Sequence, residues 1–286
     1  MKYNNKNKHH KVKLFLYVIC AVAIFPLFLT MVFSFFPSSQ VTKILAMRNN
    51  YDLTQWLPVS FIPDFFSLKQ YYSLLIEKPA FYRVLYNSFC ITGITILGQA
   101  IIIPAFCFAI TQYRFRGKKL IFLILLGLML LPFQVTMAPS VIIFRLLGML
   151  NTVWAVILPL VFSPFYIVIV RQYMLSLPKE LFEASVADGA GAGRAFFSLV
   201  LPLCRPVLGA AVALSFADCW NLLEQPLLFL MNNDKKMPLS VLFVQLADSE
   251  PSVVFACSVL YIIPATLIYY CFESDILLGL QLSGLK

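Results

Sequence analysis

Six stretches of this chain are predominantly apolar over 20 residues or more, and the polar residues gather between them. They run over residues 14–36, 86–110, 119–143, 153–172, 206–231 and 252–272. A helix of about 20 apolar residues is what crossing the hydrocarbon core of a bilayer requires. The pattern therefore predicts an all-α polytopic membrane protein with six transmembrane helices. The first stretch is too long for a cleavable signal core and no small-residue cleavage site follows it, so it reads as an uncleaved anchor. The implied divisions are a tail (1–13), the anchor (14–36), an outer loop (37–85), a core (86–272) containing a polar loop (176–205), and a second tail (273–286).

Composition agrees with the pattern. The chain is 60% hydrophobic and 12% charged with mean hydropathy +0.84, whereas soluble domains carry about a quarter charged residues. A net charge of +9 would suit nucleic acid, but the basic residues lie at the ends of apolar stretches, as membrane topology requires. With the N-terminus inside, 14 Lys and Arg fall on the cytoplasmic side and 8 on the outer side. Both termini are thus expected in the cytoplasm. The seven cysteines form no Cys-x-x-Cys pair, so neither a zinc site nor a disulfide framework is supported. His9 and His10 sit in a Lys/Asn-rich tail expected to be disordered rather than metal-binding.

The outer loop carries Pro37, Pro58, Pro63 and Pro79 among Trp56, Phe61, Phe65 and Phe66. Its segment SLKQYYSLLI (67–76) has the spacing of a short amphipathic helix lying along the membrane surface. A docking surface and a packed cap both remain open for it.

The densest polar sequence is PKELFEASVADGAGAGRAFFSLVLPLCRP, from Pro178 to Pro206. Pro178 suits the first turn of a helix, Glu180 and Glu183 complement its positive pole, and Gly189 ends it. About eleven helical residues span only ~16 Å, too short to cross a bilayer. Leu181, Ala184, Ser185 and Asp188 share one face. Small side chains there admit another protein's surface, with Leu181 and Phe182 as apolar anchors. A second short helix, about 194–200, is expected to stop before Leu201-Pro202.

Within the apolar stretches, Asp218 and Glu224 are costly, ~3 kcal/mol on insertion scales, and such residues usually face a cavity or a partner. Asp218, Asn221 and Gln225 fall on one stripe of a continuous fifth helix. With Glu224 they form the candidate solute path, against the alternative of interhelical hydrogen bonding. Gly209, Ala213 and Ala217 repeat every four residues and favour close helix packing. Pro104, Pro132, Pro139, Pro159, Pro164 and Pro264 break or kink spans and free carbonyls that neighbours must satisfy. No phosphate-binding Gly-x-x-x-x-Gly-Lys-Ser/Thr, no His-Glu-x-x-His and no Gly-x-Ser-x-Gly is present. The chain is thus not expected to bind ATP by that route, and it carries none of these catalytic signatures.

Glu183-Ala184-Ser185, Asp188-Gly189-Ala190 and Leu201-Pro202 together resemble the "EAA" loop of ABC-importer permeases. YNSF (86–89), YRFRGKK (113–119), LLGMLNT (146–152) and PVLGAAVALSFADCWN (206–221) are similar to further motifs of carbohydrate-importer permeases related to the maltose system. GLQLSGLK (279–286) loosely resembles the tail of permeases whose end reaches the ATPases. The resemblance implies the type I importer permease fold and a non-catalytic subunit in the plasma membrane that moves a carbohydrate. It implies a second permease, two cytoplasmic ABC ATPases that bind the ATP, and an extracytoplasmic solute-binding protein as partners. No cofactor or nucleic acid is implied. Leu181, Phe182, Glu183, Ala184, Ser185, Asp188, Gly189 and Ala190 would be the ATPase-coupling residues. Leu222 and Gln225 depart from the family pattern, which leaves the solute open. The rival reading is a secondary transporter driven by an ion gradient, with Asp218 or Glu224 as the carrier.

Overall fold

A backbone surrounded by apolar side chains must satisfy its own hydrogen bonds, and among the described residues every regular element is a helix. The computed structural model describes residues 3–49 and 62–283. Expectations placed on Lys2, Trp56, Pro58, Phe61, Gly284 and Lys286 lie outside the described residues. In order come α1 (Tyr3–Phe33), α2 (Ser38–Asn49), α3 (Lys69–Tyr72) with a π turn Ser73–Glu77, and α4 (Ala80–Gln112). They are followed by α5 (Lys118–Leu130), α6 (Phe133–Leu146), α7 (Val153–Val161), α8 (Pro164–Ser176) and α9 (Lys179–Ala187). Next are α10 (Ala192–Ala195), a π turn Phe196–Val200, α11 (Leu201–Leu203), α12 (Arg205–Trp220) and α13 (Glu224–Phe229). The series ends with α14 (Leu239–Ser249) and α15 (Pro251–Ser283).

Four runs are long and apolar enough to cross a membrane: Val12–Phe33, Ala80–Gln112, Val153–Ser176 and Pro251–Gly279. The other two expected spans are broken. Lys118–Leu130 and Phe133–Leu146 meet at 106°, and Ala192–Leu203 and Arg205–Trp220 at 70°. The count reaches six only if each bent pair crosses as one span. Pro132 causes the first break, because a proline disfavours helical backbone in the residue before it; Leu131 accordingly sits at φ −77°, ψ 121°.

Several sequence boundaries need correction. The first tail is helical from Tyr3 rather than disordered, α2 lies where a loop was expected, and α4 begins at Ala80 rather than 86. The last helix continues through the supposed tail to Ser283.

By contacts the chain divides into two units, residues 1–82 with 242–263, and residues 83–241 with 264–286. In the first unit Phe36, Leu74 and Cys257 are fully buried. The Phe33 ring lies 5.3 Å from that of Phe255, Tyr71 O–H donates to Ser34 Oγ at 2.8 Å, and Lys78 pairs with Glu250. The 67–76 segment is helical from Lys69 and packs into this unit, with Gln70 and Leu74 buried, as the packed-cap alternative had it.

The second unit holds two apolar clusters. One gathers Ile91, Phe144, Ala155, Ile157, Phe229 and Leu230. The other gathers Ile103, Cys107, Leu125, Ile167, Val170 and Val207. Ile91 and Ile103 both lie on α4, twelve positions apart, which places the clusters ~18 Å from each other along that helix. The small stripe of α12 is used within the chain at its first member. A Cβ on Gly209 would run into the carboxylate of Asp275 on α15, so only a glycine admits that approach.

Candidate functional site

The polar loop folds as a helix, a glycine turn and a second helical run. Pro178 stands just before the first helical residue, and Glu180 lies in the first turn. Gly189 takes φ +75°, the left-handed conformation that lets a helix end sharply. Asp188 N–H then reaches Ala184 C=O at 3.0 Å, and Ala190 N–H reaches Ser185 C=O at 3.0 Å. The second of these is the six-to-one bond of a Schellman ending. The following helix does not stop before Leu201-Pro202, as the sequence suggested; it continues to Leu203. The π turn at Phe196–Val200 supplies the reason. A proline in regular α register clashes with the carbonyl four residues back, and a wider turn just ahead of Pro202 relieves that contact.

Nine residues make α9 only ~13.5 Å long, so it cannot span a bilayer. Glu183, Ala184, Ala187, Asp188 and Gly189 are exposed, while Ser185 and Ala190 are half-buried. Ser185 Oγ turns back to Phe182 C=O at 2.9 Å. Of the two apolar anchors expected for a partner, Leu181 is 39% exposed. Phe182 is half-buried and packs with Tyr173, Leu177 and Phe196 on the second apolar cluster. This seats α9 on the membrane unit and leaves Leu181 with the small and acidic positions as the open face.

The proposed stripe of the fifth span is not continuous. α12 ends at Trp220, Asn221 caps it by Nδ2 donation to Ala217 C=O at 2.8 Å, and α13 restarts at Glu224. Asp218, Asn221 and Gln225 therefore share no helical face. Asp218 is exposed and accepts a hydrogen bond from Tyr166 O–H at 2.5 Å. Glu224 is exposed and accepts from Gln134 Nε2 at 3.0 and 3.2 Å. Gln225 is half-buried and its Oε1 has no partner. Each carboxylate thus meets a donor from another helix, which is the arrangement that lets an acid sit among apolar spans.

Sequence reasoning missed the residues that hold this region together. Pro164 cannot donate to Leu160 C=O, and Gln99 Nε2 takes that place at 2.7 Å. Ser215 Oγ then donates to Gln99 Oε1 at 2.5 Å. A buried glutamine was visible as a polar residue on an apolar helix, but its target was not.

The quoted motifs also acquire physical roles. Asn87 Nδ2 donates to Lys235 and Met237 carbonyls at 2.8 and 2.9 Å, and Ser88 Oγ accepts from Leu239 N–H at 2.7 Å. Asn151, at φ 61°, accepts from Asn232 N–H through Oδ1 at 3.0 Å and from Lys236 Nζ through its carbonyl at 3.2 Å. YNSF and LLGMLNT thus fasten the loop from residue 229 to 239. Gly117 starts α5, and Lys118 Nζ caps the end of α4 through Thr111 and Tyr113 carbonyls at 3.0 and 3.3 Å. Among the described residues, no three His, Cys, Asp or Glu gather as a metal site.

A family model described as a binding-protein-dependent transport system inner membrane component matches residues 100–273. The chain is 30% identical over 271 residues to the arabinooligosaccharides transport system permease protein AraQ of Halalkalibacterium halodurans, covering 94% of this chain and 93% of that one. It is 28% identical over 232 residues to the sn-glycerol-3-phosphate transport system permease protein UgpE of Escherichia coli O157:H7, covering 78% and 83%. In fold it matches a chain of a bacterial ABC transporter involved in the import of the acidic polysaccharide alginate. That match has TM-score 0.78 and 20% identity, and covers 96% of this chain and 98% of that one. At that identity the likeness speaks for the fold alone. An ion-gradient carrier built on Asp218 or Glu224 finds no support in these relatives.

Proposed function

This chain belongs to the family of binding-protein-dependent transport system inner membrane components, and on that premise we propose that it is the permease subunit of an ATP-driven importer for a carbohydrate, an oligosaccharide or related solute. The observation that carries the reading is α9: a helix too short to span, seated on the membrane unit by Phe182, with Leu181, Glu183, Ala184, Asp188 and Gly189 left open. Two cytoplasmic ATPases grip this face on the complex, and they alone bind ATP; this subunit catalyses nothing and takes no cofactor. Closing of the ATPases displaces α9, and the packed aromatic contacts transmit the displacement to the spans as a rigid-body change. A second permease completes the pore, and a solute-binding protein delivers the solute from outside.

Topology follows from charge: the excess of Lys and Arg on one side supports both termini in the cytoplasm of a plasma-membrane protein. Gln134 and Glu224 meet beside the breaks at Leu131-Pro132 and Asn221–Leu223, and Asp218 meets Tyr166 between α12 and α8. These groups, with Asn221 and Gln225, are the acceptors and amides suited to a hydroxyl-rich solute. The name borne by the 30%-identical relative favours an oligosaccharide. Uptake of labelled arabino-oligosaccharides into cells tests the reading: ATP-dependent accumulation lost on deletion of this chain is expected, and undiminished accumulation would count against it.

A further inference from the structure

We propose that Arg171 and Lys118 form a binding site for the phosphate of an anionic phospholipid, in the leaflet at the Arg114–Lys119 end of the spans. Arg171 lies on α8, half-buried, its guanidinium 3.7 Å from the centre of the Phe122 ring of α5. Its Nε is buried and has no hydrogen-bond partner. Lys118 stands four residues before Phe122 on α5, on the same face of that helix, and so on the side that Arg171 covers. Among the described residues, no carboxylate lies within ion-pair distance of these two cations. Partly desolvated like charges with an unsatisfied donor are costly unless an anion joins them. A planar guanidinium held on an aromatic face suits a phosphate oxygen pair.

The surroundings select a lipid rather than a soluble phosphate. Arg171 lies within the apolar run Val153–Ser176, five residues before its end, and Phe122 lies one turn into the run that opens at Lys118. The cations thus stand at the ends of apolar spans, at the depth of lipid headgroups rather than in open water. Lys118 is also tied to the last carbonyls of α4, so an occupied site would brace the turn between α4 and α5 and the end of α8 that leads to α9.

The test is native mass spectrometry of the full chain, extracted in its assembly and exposed to phosphatidylglycerol or phosphatidylcholine. Phosphatidylglycerol should be retained more strongly, by about 5-fold for each cation engaged. The double variant Arg171→Gln, Lys118→Gln should bring retention down to the phosphatidylcholine level, while Lys78→Gln, in the other unit, should leave it unchanged. Arg171→Lys keeps the charge and should retain an intermediate preference, which guards against a double variant that fails to fold. Equal retention of the two lipids by the native chain would overturn the proposal. So would full retention by a folded double variant, or displacement of the lipid by millimolar inorganic phosphate.

Discussion

At the scale of single residues, Gly189 carries the sharpest consequence. Its φ of +75° costs a side chain about 1–2 kcal/mol, and open space around it means that strain, not a clash, is the penalty. Gly189→Leu should leave membrane insertion intact and lower both uptake and recovery of ATPase with the permease. Normal transport by the variant would remove the turn from coupling. Gln99 is the second test. Gln99→Leu leaves Leu160 C=O and Ser215 Oγ without their buried partner, a loss of about 1–3 kcal/mol. It should appear as a lower unfolding temperature in detergent, with no change expected in solute selectivity. Asp218→Ala should change the uptake KM, and unaltered kinetics would take Asp218 and its Tyr166 partner out of the path.

At the scale of elements, the structure turns on where proline interrupts a helix and what repairs the interruption. The sequence showed which stretches were apolar and which prolines would free a carbonyl. It could not show that Leu131-Pro132 bends a span by 106°, because composition on the two sides of the break is the same. Nor could it show that α12 ends at Trp220: Asn221 and Leu223 carry no strong stop signal, and the stripe drawn through them assumed a continuous helix. The polar loop was legible because its signals are local, a proline before the helix, acids in its first turn and a glycine after it. That Phe182 also packs on the second cluster was not legible, because helical spacing places a residue on a face without saying what covers that face. Contacts such as Asn87 to Lys235 and Met237 join residues about 150 positions apart, and local pattern cannot anticipate them. Asn87→Ala with Ser88→Ala should loosen the segment from Lys235 to Leu239, seen as faster proteolysis there while α9 keeps its protection.

At the scale of the whole molecule, the described residues hold four helices long and apolar enough to span and two bent pairs, and the proposed function requires work to enter through a surface. The exposed face of α9 is the surface with the right form: short, outside the spans, ended by a rigid glycine turn and keyed by Phe182 onto the cluster that includes Val170 and Val207. Purification in mild detergent should recover a second permease and an ATPase with this chain. The most direct measurement replaces Ala184, in the middle of that face, with a photo-crosslinking residue in the assembled complex. The account predicts a covalent adduct to the ATPase subunit whose yield changes when nucleotide is added. Adducts to lipid alone, or a yield indifferent to nucleotide, would contradict it.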